Sequence, residues 1–178
     1  IRTLNRLEIA EGKSERLSFA KRSLYTQKGD KKAAIAEMKK LADQYPNDNN
    51  YRCLYGNTLY VNGQQKKALA IYEAILQEDP DNRNAKMAML AHYNEQHDTA
   101  AANKLIESIL LSRTASTEDR VTLMRQVIGE SEQQGGDSTR VLHLFHQMLE
   151  KPQSDADLAL FCATYMNLKK MPNDSIAP

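Results

Sequence analysis

The sequence contains only two cysteines and no long apolar run, and each shortage excludes a class of protein. Cys53 and Cys162 lie far apart in the chain, so they provide neither a disulfide framework nor the close spacing of zinc ligands. No apolar run approaches the roughly 18–20 residues that a membrane-spanning helix needs. The 24 Lys and Arg nearly balance the 23 Asp and Glu, so the net charge of +1 does not require a polyanionic partner.

Sequence signatures of catalysis are also absent. The chain has no G-x-x-x-x-G-K-S/T loop, no G-x-G-x-x-G loop and no H-E-x-x-H pair. His143 and His146 share one face of a predicted helix, but a third metal ligand is not evident. One partly packed and one exposed histidine are therefore the better interpretation. We expect a non-enzymatic protein with no catalytic residue, no bound metal and no cofactor.

A repeat of 34 residues is what the sequence does contain. The matching positions are Gly29 and Gly63, Pro46 and Pro80, Ala34, Ala68 and Ala102, Met38, Tyr72 and Ile106, and Leu41, Ile75 and Ile109. Repeats of this length are typical of stacked helix pairs, because one helix pair cannot bury its apolar faces alone. The sequence therefore predicts an all-α chain.

The second repeat shows how each unit divides. An apolar pattern over 49–62 predicts a first helix, A, and Gly63 ends it with a residue suited to a left-handed turn. Apolar residues at helical spacing over 65–78 predict a second helix, B. Pro80 follows the second helix, where it cannot disturb the helical hydrogen bonds.

These residues resemble the tetratricopeptide repeat, whose signature is W-x2-L-G-x2-Y, then A-x3-F, then P. Tyr55 and Gly56 stand at the L-G pair, Leu59 at the aromatic position, Ala68 and Tyr72 at A-x3-F, and Pro80 at the final proline, while Arg52 replaces the tryptophan. The resemblance implies a right-handed superhelix of stacked antiparallel helix pairs. The stretches NRLEIAEGKS and NGQQKKALAIYEAILQEDPDN also look like those of long exported repeat proteins of Bacteroidetes-type bacteria. That similarity implies a periplasmic or outer-membrane-associated location, with a cytoplasmic one as the alternative.

The predicted array covers residues 1–178 as one domain. Its parts are 1–12 as the end of a preceding repeat, 15–48, 49–82 and 83–116 as repeats, 117–152 as a degenerate repeat, and 155–168 as the start of a further repeat. Residues 1–11 match the second half of a helix B, and the chain does not begin with Met. We therefore expect the chain to be a fragment of a longer repeat protein.

The resemblance also implies a binding surface, because helices A line the concave face of tetratricopeptide arrays. The positions it designates are Arg16, Phe19 and Ser23 in the first repeat, Asn50, Cys53, Asn57 and Tyr60 in the second, Asn84, Met87 and Asn94 in the third, and Val121 and Arg125 in the fourth. Phe19, Cys53, Met87 and Val121 form an apolar row at 34-residue steps, beside a row of asparagines. Amide side chains both donate to and accept from an extended peptide. The alternative is that the apolar row only packs one A helix against the next.

The sequence thus favours a scaffold that binds a peptide or protein partner, with no nucleic acid and no direct membrane insertion. An RNA-binding helical repeat is one alternative, although the designated surface has few of the cations on which RNA binding depends. A spacer or regulatory segment of a larger envelope protein is another.

Overall fold

The fold is all-α, as predicted. The computed structural model describes residues 1–112, 114–150 and 156–169, and these ranges contain helices and turns but no β-strand. The helices are α1 (Arg2–Glu11), α2 (Glu15–Gln27), α3 (Lys31–Gln44), α4 (Asn49–Val61), α5 (Gln65–Glu78), α6 (Arg83–Glu95), α7 (Thr99–Leu110), α8 (Thr117–Gln133), α9 (Thr139–Leu149) and α10 (Ala156–Leu168). The chain divides into two compact units, Ile1–His92 and Tyr93–Pro178.

The helix bounds follow the sequence prediction closely. Helix α5 has the predicted bounds, and α4 ends one residue earlier than predicted. Residues 151–155, where we placed the end of the degenerate repeat and the start of the next, lie outside the described residues.

The turn between helices A and B recurs with the same hydrogen bonds. The N–H groups of Asp30, Gln64 and Asp98 donate to the carbonyls five residues earlier, at 2.9, 3.0 and 2.9 Å. The residue before each of them is left-handed, with φ of 72° at Gly29, 84° at Gly63 and 56° at His97. This is the Schellman motif, which satisfies the last carbonyls of a helix. The 34-residue period is thus a period of backbone geometry as well as of sequence.

His97 is the position where this turn lacks its glycine, and the difference is testable. A side chain in the left-handed region costs about 1 kcal/mol, which glycine avoids. We expect His97→Gly to raise the free energy of unfolding and Gly63→Ala to lower it, each by about 1 kcal/mol. Urea titrations followed by circular dichroism would measure both, and changes of the same sign would contradict the shared-turn explanation.

The first unit is built around the small and apolar residues of its B helices. Ala34, Met38 and Leu41 in α3 and Ala68, Tyr72 and Ile75 in α5 are all at most 1% exposed. Tyr72 Oη donates to Asn57 Oδ1 at 2.6 Å, and the ring of Tyr72 lies against Gly56. These two contacts join residues on opposite sides of the turn at Gly63, so α4 and α5 run antiparallel.

The A helices of the first unit run parallel to one another. Tyr51 Oη donates to Glu15 Oε2 at 3.1 Å, which joins the N-terminal turns of α4 and α2. Asn84 Nδ2 donates to Asn50 Oδ1 at 2.9 Å, which joins the N-terminal turns of α6 and α4. Tyr60 Oη and His92 Nδ1, 2.9 Å apart, join the C-terminal turns of α4 and α6.

Four charged side chains form a part-buried network where α1, α2 and α3 meet. Lys21 is 2% exposed and donates to Glu8. Lys13 donates to Glu8 at 2.9 Å and to Glu37 at 2.6 Å. The hydrogen bond from Lys21 lowers the pKa of Glu8 by more than burial raises it, and Lys13 lowers it further. Burial lowers the pKa of Lys13, but its bonds to Glu37 and Glu8 outweigh burial and raise that pKa.

The second unit has an aromatic core between α8, α9 and α10. Phe145 is 1% exposed, and its ring centroid lies 5.7 Å from that of Phe161 and 5.9 Å from that of Tyr165. Tyr165 Oη donates to Ser138 Oγ at 2.8 Å, so the buried hydroxyl is satisfied. These contacts hold α9 and α10 together within the unit.

Candidate functional site

The structure brings five of the designated residues together in a groove between α4 and α6 of the first unit. Its volume is about 420 Å³. The lining residues are Asn50, Cys53, Leu54, Asn57, Asn84, Met87 and Ala88. None of the seven carries a charge, and three are asparagines. The groove is therefore a neutral surface rich in amides.

Hydrogen bonds fix the orientation of these amides. Asn57 accepts from Tyr72 through Oδ1, so its N–H groups remain as donors at the groove. Asn84 donates to Asn50, so Asn50 offers N–H groups and Asn84 offers its oxygen. The groove thus presents two donor amides and one acceptor amide in defined directions.

Cys53 and Met87 supply the apolar part of the groove. Cys53 is 2% exposed and lies at the bottom of the groove. Burial raises the pKa of Cys53 to about 11, so the thiol stays protonated near neutral pH and is a poor nucleophile. Met87 is half-buried and flexible, which suits it to contact varied side chains.

The other designated residues of the first unit lie outside the lining of this groove. In α2, Arg16 and Ser23 are exposed, and Phe19 is half-buried with the guanidinium of Arg22 5.4 Å from its ring centre. Tyr60, near the end of α4, is half-buried and bonded to His92. Position in the repeat therefore identifies residues on one face of a single helix. The groove also depends on which two helices lie next to each other.

The second unit has a groove of its own, of about 590 Å³ between α8 and α10. It is lined by Thr117, Glu118, Val121, Arg125, Asp157, Leu160, Phe161 and Thr164. The designated Val121 and Arg125 are both part of it, and the guanidinium of Arg125 lies 5.8 Å from the centre of the Phe161 ring. Asn94 instead lines a separate cavity of about 210 Å³ with Tyr93, His97, Thr99, Ala102, Asn103 and Glu130.

Sequence reasoning missed the residues that complete each groove. Leu54 and Ala88 complete the groove of the first unit, and Leu160 and Phe161 that of the second. Leu54 and Ala88 sit one position after Cys53 and Met87, so the groove extends beyond the designated row. Phe161 is half-buried and contributes to both the aromatic core and the groove.

In the part of the chain that the structure describes, no three His, Cys, Asp or Glu side chains are placed to hold a metal ion. His143 and His146 are both exposed, and His146 Nε2 lies 3.2 Å from Glu150 Oε1. No described helix combines the length and the apolar character that crossing a membrane would require. Comparison of the sequence with protein-family models and with curated proteins found no match.

Proposed function

We propose that this chain is a tetratricopeptide-type scaffold that binds an extended peptide segment of a protein partner along its A helices. The observation that carries the proposal is the groove between α4 and α6. Its three amides are already oriented by hydrogen bonds to one another and to Tyr72. An extended peptide offers alternating C=O and N–H groups, which donor and acceptor amides in fixed directions satisfy at little entropic cost.

The chemistry of the groove also favours a neutral peptide over RNA. RNA binding relies on Lys and Arg at the phosphates and on aromatic rings for base stacking. The groove of the first unit contains neither a cation nor an aromatic ring. The half-buried Met87 and Leu54 would instead receive an apolar side chain of the peptide.

The repeat pattern supports the tetratricopeptide assignment within this proposal. The small residues Gly56 and Ala68 lie buried at the approach of α4 and α5, and the left-handed turn recurs at residues 29, 63 and 97. A place in the cell envelope of a bacterium remains our proposal from sequence similarity. The protein would act there by holding a partner, with no chemistry of its own.

A displayed library of random peptides would test the groove. We expect peptides selected on the wild-type protein to bind Met87→Glu at least about tenfold more weakly, equivalent to about 1.4 kcal/mol. A carboxylate at Met87 would stand unpaired in the apolar part of the groove.

Ala70→Glu is the matched control, because it adds the same charge at an exposed position of α5 outside the groove. We expect it to leave peptide affinity unchanged. Failure to enrich any peptide, or equal affinity for the wild type and Met87→Glu, would refute the proposed peptide site.

A further inference from the structure

Five lysines lie at one edge of the first unit, a surface we name the lysine edge. Lys28 lies in the turn between α2 and α3, Lys31 and Lys32 begin α3, and Lys66 and Lys67 lie in the first turn of α5; all five are exposed. The bond from Tyr51 to Glu15 joins the N-terminal turns of α4 and α2. Since these two helices run in the same direction, the turns that follow them lie at the same edge.

The charges of the lysine edge are not neutralised by the protein. In the described ranges, lysines that form ion pairs are Lys13, Lys21, Lys39, Lys86 and Lys169, and none belongs to the lysine edge. Lys67 Nζ donates to the neutral Gln64 at 3.0 Å. Asp30 is the acidic residue of this edge, and its carboxylate caps α3 by accepting from Ala33 N at 3.0 Å.

Four of the five lysines lie in the first turn of a helix, which is unfavourable for a cation. The first turns of α3 and α5 contain no acidic residue, and the N-terminus of a helix carries a partial positive charge. The C-termini of α2 and α4 lie at the same edge and offset the dipoles of α3 and α5, so the positive potential of this edge comes from the five lysines. The five like charges repel one another, and contact with an anionic surface would relieve that repulsion.

The net charge of the first unit also favours an anionic partner. Residues 1–92 contain 16 Lys and Arg against 11 Asp and Glu, whereas residues 93–178 contain 8 against 12. Acidic residues near the opposite edge of the first unit are bonded to its own cations: Asp43 to Lys39, Glu78 to Arg52 and Asp81 to Lys86. These three ion pairs reduce the negative charge that a second copy of this unit would offer to the lysine edge.

We propose that the lysine edge docks on an anionic lipid surface. Lysine presents a mobile point charge, which suits a diffuse layer of headgroups, whereas a defined carboxylate or phosphate contact favours the planar fork of arginine. None of the five lysines lines a groove described above, so this contact would use a different part of the surface. Val61, at the end of α4 beside these turns, is 79% exposed and places an apolar side chain at the same edge. This contact is separate from the proposed peptide groove.

Sedimentation with lipid vesicles would test the proposal. We expect the wild-type protein to sediment at low salt with vesicles that contain phosphatidylglycerol, and added salt should release it. It should not sediment with vesicles of phosphatidylcholine alone. The variant Lys31→Gln/Lys32→Gln/Lys66→Gln/Lys67→Gln should bind about tenfold more weakly or worse. Its melting temperature should equal or exceed that of the wild type, because each change removes a cation from a helix N-terminus.

A second quadruple variant provides the matched control. Arg2→Gln/Arg6→Gln/Lys40→Gln/Lys104→Gln removes the same charge from exposed positions outside the lysine edge, and it should keep most of the binding. Equal loss in the two variants would overturn the proposal, since net charge alone would then explain the binding. Failure of the wild-type protein to sediment with anionic vesicles would also overturn the proposal. The same holds if the protein binds RNA or polyglutamate but not the vesicles.

Discussion

Replacing Gly56 with alanine is expected to lower the free energy of unfolding by about 2 kcal/mol, because a methyl group has no room at this position. A Cβ atom added there would lie 2.6 Å from Cε1 of Tyr72. The ring cannot swing away, since Tyr72 is 1% exposed and its hydroxyl is held by Asn57 at 2.6 Å. In an unobstructed helix interior, the same change stabilises by about 1 kcal/mol.

Gly129 provides the matched control for this prediction. It lies inside α8, and an added Cβ atom would meet nothing within 4 Å. We expect Gly129→Ala to raise the free energy of unfolding by about 0.5–1 kcal/mol. Urea titrations followed by circular dichroism would measure both variants. A stabilising effect of Gly56→Ala would show that the approach of α4 to the Tyr72 ring is not tight.

A double variant would identify the clash partner. Tyr72→Leu removes the ring atoms that the new methyl group meets, at the cost of a cavity and an unpaired Asn57. The combination Gly56→Ala/Tyr72→Leu should therefore lose less stability than the sum of the single changes. Simple additivity would place the clash elsewhere.

Replacing Glu8 with glutamine is expected to lower the free energy of unfolding by about 3 kcal/mol, because the buried ammonium of Lys21 would lose its charged partner. Lys21 is 2% exposed and Glu8 is 25% exposed at its side chain. Removing both charges should lower the free energy of unfolding much less than Glu8→Gln alone, because Lys21 would no longer be left as an unpaired buried charge. We therefore expect Glu8→Gln/Lys21→Met to recover most of the loss, as thermal unfolding of the three proteins would show.

Asp43→Asn is the control for an exposed ion pair. Lys39 and Asp43 are 55% and 60% exposed, and such pairs contribute roughly 0–1 kcal/mol. This variant should therefore unfold at nearly the wild-type temperature. An equal loss of stability in Asp43→Asn and Glu8→Gln would contradict the larger contribution that we assign to the buried pair of Glu8 and Lys21.

The Glu8 network also predicts a dependence on pH. The pKa of Glu8 is lowered in the folded chain. Its contribution to stability is therefore fully present above the ordinary carboxyl range and is lost as the pH falls through the folded value. The stability difference between the wild type and Glu8→Gln should accordingly shrink on acidification.

The helices and the repeated core were predictable because their signals are local. Turn glycines, small residues and apolar spacing repeat every 34 residues, and each helix pair responds to them in the same way. The left-handed His97 was harder to foresee, since histidine is an uncommon choice for that conformation. There the hydrogen bonds of the turn prevail over the preference of the residue.

The grooves were less predictable than the helices that form them. Repeat position left open whether Cys53 lines a groove or packs between A helices, and its 2% exposure places it at the bottom of the groove. Whether a residue at the edge of a helix face is buried depends on the neighbouring helix, which a single repeat does not encode. The hydrogen bond that orients Asn57 likewise depends on Tyr72, fifteen residues away on another helix.

The bonds between neighbouring A helices have a consequence for how the chain folds. Asn50 and Asn84 are 34 residues apart, and Glu15 and Tyr51 are 36 residues apart. Contacts of such short sequence separation give a low contact order, which accelerates folding. Each helix pair can form as soon as it and its predecessor have emerged from the ribosome. We therefore expect the first unit to acquire its structure progressively from the N-terminus during synthesis, without waiting for the rest of the chain.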